Sequence, residues 1–165
     1  MQKTRNESNK SNNVQASRGE LWVVGQLALL AAILLAPSSE EWPDGLRTIS
    51  MIAGVVIGII GLLVIAMGGA RLGSSLTIFP RPVEHGKLAR QGIYRVVRHP
   101  MYFGVILSTL GWVMLSTSTL GLILILVLGV FFDAKSRREE IWLVEKYPDY
   151  ETYRRDVRKL IPWIY

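Results

Sequence analysis

Three long stretches of this chain carry no formal charge, and they constrain its fold more than any other feature. Leu21–Ser39, Thr48–Ala70 and His99–Phe132 contain no Asp, Glu, Lys or Arg. Their apolar residues run together instead of recurring at the spacing of a half-buried soluble helix. About 20 such residues are enough for an α-helix to cross a bilayer, and lipid admits only helices or closed barrels because every backbone group must be satisfied internally. The sequence therefore predicts an all-α integral membrane protein.

The chain boundaries follow from the same pattern. Residues 1–19 are rich in Asn, Ser, Gln and Lys and read as a polar, flexible tail, leaving 20–165 as a single membrane domain. The first apolar run reads as a retained helix over 21–36, since no small-x-small cleavage site follows it before Pro37. A second helix is expected over 48–70. The third run is longer than one crossing needs, and its polar Ser116-Thr117-Ser118-Thr119 is the natural turn between helices at 102–116 and 119–133. Each would be roughly 22 Å long, shorter than the ~30 Å hydrocarbon core, so a short hairpin and a full pair of crossings both remain open. About four transmembrane helices result. Beyond them, 134–147 extends the fourth helix. Tyr150, Tyr153, Val157 and Leu160 then form an apolar stripe that predicts an amphipathic interfacial helix, with Arg154, Arg158 and Lys159 on its other face and Pro162 ending it.

Charge sets the orientation. Arg71, Arg81, Lys87, Arg90, Arg95 and Arg98 face Glu84 alone in the long central loop, whereas the 38–47 loop is acidic. Basic residues collect on the cytoplasmic side, which places both termini and the central loop there. This also accounts for the net charge of +6, so no nucleic-acid partner is expected. With no cysteine and only His85 and His99, neither a disulfide nor a metal site is expected. Gly54, Gly58 and Gly61 lie at near-helical spacing and are expected to let helices pack closely, against each other or between copies of the chain.

One segment carries polar chemistry up to the edge of an apolar run: Gly92-Ile93-Tyr94-Arg95-Val96-Val97-Arg98-His99-Pro100-Met101-Tyr102-Phe103-Gly104. Desolvating such groups is costly, so their density points to a polar pocket at the membrane surface. Pro100 is suited to the first position of a helix, which puts His99 beside unpaired backbone N–H groups able to receive an anion. Met101 and Tyr102 lie one turn in, and Gly104 removes bulk from the next turn. A second polar cluster, Lys135 to Glu140, follows the fourth helix. It reads equally as a charged helix end with weak ion pairs or as a wall of the pocket, with Glu139 or Glu140 facing an amine, ribose hydroxyls or a cation.

Pro80-Arg81-Pro82, Lys87-Leu88, Gly92-Ile93-Tyr94, the Arg98–Gly104 element and Glu139-Glu140 together resemble the isoprenylcysteine carboxyl methyltransferase family, whose wider group includes phospholipid N-methyltransferases. The resemblance covers about residues 79–165, the cofactor-site half of the domain. It implies methyl transfer from S-adenosylmethionine to a lipophilic small-molecule or lipid-modified substrate, with membrane lipids as surroundings. It also implies cofactor contacts from Lys87, Leu88, Ala89, Tyr94, His99, Pro100, Met101 and Tyr102, with Glu140 counted beside them. Glu139 matches a substrate-side glutamate and is assigned as catalytic together with Lys135. Lys135 stands where the family has an arginine, and lysine cannot reproduce the bidentate carboxylate grip of arginine, so the acceptor stays open between a carboxylate and an amine. His85 lies one place from a histidine common in the family, at the position of Gly86. Two other readings share some of these features: an NADPH-dependent oxidoreductase like the sterol reductases, and a non-catalytic protein whose basic loop binds anionic lipid.

Overall fold

The computed structural model describes residues 19–39, 42–83 and 85–165. The expected tail apart from Gly19, and the acids Glu40, Glu41 and Glu84, lie outside the described residues. Helices account for all the regular structure described: α1 (Glu20–Leu34), α2 (Asp44–Leu72), α3 (Pro100–Leu115), α4 (Thr119–Lys146) and α5 (Tyr150–Asp156), with 3-10 turns at Gly73–Ser75 and Gly92–Arg95. Each uncharged run has become helix close to its expected bounds. α2 and α4 are long and apolar enough to cross a membrane, whereas α1 and α3 are apolar but only 15 and 16 residues long. Leu62, Leu126 and Val130 are 60%, 72% and 72% exposed. Contiguous apolar surface of this kind calls for a lipid or protein cover.

The inner packing is narrow. Ile33 of α1, Val113 of α3, and Ile125, Leu128 and Phe132 of α4 make one buried cluster. α2 and α3 meet along glycines instead. A methyl group added at Gly111 would lie 2.6 Å from the Gly58 backbone nitrogen, and one at Gly61 would lie 2.5 Å from the Ser108 nitrogen. No side chain fits at such distances, so the two helices pack backbone against backbone. The glycine spacing of α2 thus serves contact within the chain. Gly104 belongs to the same seam, since its added methyl would meet Gly61 and Ile65. Its expected part in shaping the pocket is replaced by helix packing.

Two turns close the end of the bundle where α2 begins. Thr117 takes a positive φ of 48°, and the Ser118 hydroxyl accepts from the Gly121 nitrogen at 3.0 Å to cap α4. The Ser39 nitrogen donates to the Thr117 carbonyl at 3.1 Å, and the Thr119 nitrogen donates to Ser39 Oγ at 3.1 Å. These bonds tie the α1–α2 connection to the α3–α4 turn.

The carboxy-terminal segment departs from the expected amphipathic helix. α5 stops at Asp156 after seven residues, and Val157 is extended. The Arg98 nitrogen donates to the Arg158 carbonyl at 2.8 Å and the His99 nitrogen to the Lys159 carbonyl at 3.0 Å, forming a parallel bridge between Val97 and Arg158. These N–H groups precede Pro100 and need acceptors; recruiting the 158 and 159 carbonyls is incompatible with continuing the helix. Lys159, expected on an outer face, is instead 7% exposed, and its Nζ pairs with Asp133 Oδ1 at 2.5 Å.

The glycine seam makes a direct prediction. Gly111→Leu should lower the thermal unfolding midpoint of detergent-purified protein, because overpacking typically costs about 1–3 kcal/mol. Gly129→Leu should leave it unchanged, since nothing lies within 4 Å of a methyl added there. Equal effects in the two variants would contradict the seam.

Candidate functional site

The end of the bundle opposite the two tied turns holds a cavity of about 290 Å³. Its walls come from five parts of the chain: Gln26 of α1, the end of α2 with the loop that follows it, the 92–99 segment with the start of α3, the polar half of α4, and α5. The loop is pinned from two sides. The Lys87 nitrogen donates to Ser75 Oγ at 3.0 Å, and Tyr147 Oη donates to the Gly86 carbonyl at 2.6 Å. Lys146 Nζ also donates to the Val83 carbonyl. On the other wall Tyr153 Oη donates to the Tyr94 carbonyl at 2.6 Å. Burial first, and the Glu139 carboxylate second, push the Tyr94 phenol well above its usual value. It therefore stays neutral and presents a hydroxyl, not a phenolate.

Behind this wall lies a buried charge network. Arg98 Nε donates to Glu140 Oε1 at 2.9 Å, with the two side chains only 9% and 8% exposed. Arg98 Nη1 donates to the carbonyls of Arg154, at 2.8 Å, and of Val157. Arg98 thereby satisfies carbonyls that the end of α5 leaves without helical partners. His99 Nε2 lies 3.1 Å from the same Glu140 oxygen. A carboxylate only accepts, so the imidazole proton in that bond belongs to Nε2.

The second glutamate has a different setting. Tyr102 Oη donates to Glu139 Oε2 at 2.6 Å, and His99 Nδ1 stands 3.7 Å from the same oxygen. Glu139 is one-quarter exposed and lines the cavity. The rings of His99, Tyr102 and Phe132 form a near-parallel ladder, with centroids 5.4 and 4.6 Å apart. This ladder fixes the direction in which the Tyr102 hydroxyl points. Lys135, at 1% exposure, lies deeper. Its Nζ donates to Gln26 Oε1 of α1 and more weakly, at 3.5 Å, to the Ile78 carbonyl. It also stands 5.2 Å from the centroid of the Tyr102 ring, close enough for cation–π attraction.

The residues singled out from the sequence divide cleanly. Lys87, Leu88, Ala89, Tyr94, His99, Pro100, Met101, Tyr102, Lys135 and Glu139 all line the one cavity. Glu140 does not; it sits behind the wall and lines a second cavity. His85 and Arg81 lie outside the lining as well. Gln26 is the site residue that sequence reasoning missed. Its signal was available, because it is the one amide in an otherwise apolar span, and a lone polar residue in such a helix normally seeks a partner within the bundle. Among the described residues no group of three or more His, Cys, Asp or Glu side chains is placed to hold a metal ion.

The cavity has the composition that a charged adenosyl sulfonium would need. Tyr94, Tyr150 and Tyr153, the pinned 86–89 loop and the Glu139 carboxylate all line it. Its other lining, Leu76, Ile78, Met101 and Val105, is apolar and suits a lipophilic partner.

Comparison with known proteins bears on this arrangement. The chain is similar to a steroid 5-alpha-reductase of Gossypium hirsutum, 29% identical over 115 residues, which is 69% of this chain and 42% of that protein. It is 42% identical over 79 residues to the protein-S-isoprenylcysteine O-methyltransferase of Schizosaccharomyces pombe, covering 47% of this chain and 34% of that protein. A probable protein-S-isoprenylcysteine O-methyltransferase of Oryza sativa subsp. indica is 31% identical over 140 residues, covering 82% of this chain and 70% of that protein. The chain thus spans less than half the length of the first two relatives and about two-thirds of the third. The sequence pattern of the phospholipid methyltransferase family matches residues 49–150, which takes in α2, α3, α4 and every wall of the cavity except Gln26 and Tyr153. By that match, over more than half of its length, the chain belongs to the phospholipid methyltransferase family.

Proposed function

We propose that the protein is an S-adenosylmethionine-dependent membrane methyltransferase acting on a lipophilic carboxylate or amine. The observation that carries this reading is the position of Glu139. Its carboxylate, held by Tyr102, lines a cavity that polar Lys87 and Tyr94 share with apolar Ile78, Met101 and Val105. S-adenosylmethionine, when bound, supplies a methyl group already activated by its sulfonium. The chain's own work is then to position, exclude water and manage a proton. The pinned loop and the tyrosines bind and orient the adenosyl side, and bringing the partners into line supplies much of the acceleration. Glu139, preorganised by Tyr102, favours positive charge in a site shielded from water and can take a proton from an acceptor amine. Lys135 offers a cation to an acceptor carboxylate.

The Lys and Arg distribution supports a cytoplasmic placement of this pocket and of both termini in a multi-pass arrangement. In this reading residues 20–165 form the methyltransferase domain, with 79–165 as its cofactor half. The steroid 5-alpha-reductase similarity favours a second reading, an NADPH-dependent reductase using the same cavity.

Calorimetric titration of the detergent-purified protein with S-adenosylmethionine, S-adenosylhomocysteine and NADPH separates the two. Both adenosyl ligands should bind and NADPH should not. Binding of NADPH alone would replace the first reading by the second. His99→Ala and Tyr102→Ala should each weaken S-adenosylmethionine binding by roughly ten- to a hundredfold, the range expected when a hydrogen bond to a charged group is lost. Wild-type affinity in both variants would contradict this placement of the cofactor.

The two neighbouring glutamates should also behave differently in the unfolding assay. Glu140→Ala leaves the Arg98 charge buried without its partner, a change that typically costs about 3–5 kcal/mol, so its melting midpoint should fall steeply. Glu139→Ala, at the cavity surface, should melt close to wild type. A reversed order would contradict the assignment of Glu140 to structure.

A further inference from the structure

A second cavity, of about 400 Å³, lies on the far side of the Arg98–Glu140 wall. Its lining includes Arg137, Arg154, Arg155, Arg158 and Lys159 besides Arg98, with Glu140 as the one acidic side chain. Some of this charge is spent. Arg98 is committed to Glu140, and Arg137 and Lys159 share Asp133. The remainder is not. Arg154 and Arg155 share the exposed Glu151 only at 3.7 and 3.8 Å. The Arg158 side chain makes no hydrogen bond or ion pair among the described residues, although its carbonyl is used by Arg98. A concave site with this balance attracts an anion.

The depth and the rim of the cavity identify the kind of anion. Asp133 is the first charged residue of α4 and Arg137 lies one turn beyond it, so the cationic lining starts about 7.5 Å past the end of the apolar run. That is the level of lipid phosphates, not of bulk cytosol. Apolar surface adjoins it: Ile164 lines the cavity, and Ile164 and its chain neighbours Ile161 and Trp163 are 76%, 44% and 82% exposed. Trp163 is held outward at a positive φ of 62°, a conformation that tryptophan rarely adopts. A turn fastens it there, with the Leu160 and Ile161 nitrogens both donating to the Tyr165 carbonyl at 2.7 Å. A strained backbone that displays tryptophan and isoleucine beside exposed arginines has the makeup of an interfacial anchor.

We propose that this cavity is a binding site for the phosphate of an anionic lipid headgroup. Arg155, only loosely paired with Glu151, and Arg158, unpaired among the described residues, supply the charge, and Trp163 and Ile164 enter the interface beside the lipid's glycerol region. This site is separate from the methyl-transfer pocket and does not depend on that reading.

The test is competition binding of a short-chain fluorescent phosphatidylglycerol to the full chain in nonionic detergent, with phosphatidylcholine and inorganic phosphate as competitors. Unlabelled phosphatidylglycerol should displace the probe, while phosphatidylcholine and millimolar phosphate should not. The Arg155→Gln, Arg158→Gln double variant should lose at least tenfold in affinity, about fivefold for each charge removed near an anionic lipid. Arg155→Lys with Arg158→Lys should recover most of the binding. Trp163→Ala, which leaves the charges in place, should weaken the lipid and leave any phosphate binding unchanged. Both arginines are exposed, so these variants should melt like wild type, and the melting midpoint is recorded for each. Wild-type phosphatidylglycerol affinity in the folded double variant would overturn the site. Equal displacement by phosphatidylcholine, or displacement by inorganic phosphate as effective as by lipid, would overturn the assignment to an anionic headgroup.

Discussion

The buried pair of Arg98 and Glu140 is the interaction on which the functional end of this molecule depends. One guanidinium joins three elements: through Glu140 it holds the polar half of α4, and through the carbonyls of Arg154 and Val157 it holds the end of α5. The residue itself stands two positions before the start of α3. Taking two charges out of water is expensive, and attraction offsets that cost only where the remaining donors and acceptors are also satisfied. Here they are, because His99 occupies the same Glu140 oxygen and the backbone of 98 and 99 is paired with 158 and 159. The carboxy-terminal strap, the mouth of α3 and the wall between the two cavities are thus one hydrogen-bonded unit.

That unit explains why two adjacent glutamates play different parts. On α4, successive residues point about 100° apart, so Glu140 turns back into the network while Glu139 meets the cavity and the Tyr102 hydroxyl. The proposed chemistry uses this division: one carboxylate is consumed in holding the wall, and its neighbour is left facing a cavity with both polar and apolar lining. Lys135, one turn before Glu139, is steadied by Gln26 from a helix at the other end of the sequence. The cavity therefore draws on α1, which lies outside the region that matches the family.

Much of this arrangement was legible in the sequence, for identifiable reasons. Absence of charge over many residues has few structural solutions in lipid, so the helices of the three runs followed closely, and the polar 116–119 cluster became the turn. The cavity lining from Tyr94 to Tyr102 was legible because charged and aromatic side chains at the mouth of an apolar run need a purpose, whereas Lys87, Leu88 and Ala89 were legible only through the family resemblance. What local pattern could not supply were the long-range pairings. Gln26 and Lys135 are 109 residues apart, and nothing in either neighbourhood announces the other. The stripe Tyr150–Leu160 has helical spacing, but backbone bonds from Arg98 and His99 override it after Asp156. The weight given to Glu140 beside Glu139 likewise had to await knowledge of which oxygen Arg98 would take.

The claim at the centre of this account is that Glu139 stands between a methyl donor and a lipophilic acceptor. Label transfer tests it most directly: the purified protein is reconstituted in vesicles with methyl-labelled S-adenosylmethionine, and a prenylcysteine and phosphatidylethanolamine are offered separately. The account predicts label in the organic-extractable product of at least one acceptor. Glu139→Gln should reduce that rate by tenfold or more while S-adenosylmethionine still binds. Absence of transfer to either acceptor by protein that binds the donor, or an undiminished rate in the Glu139 variant, would contradict it.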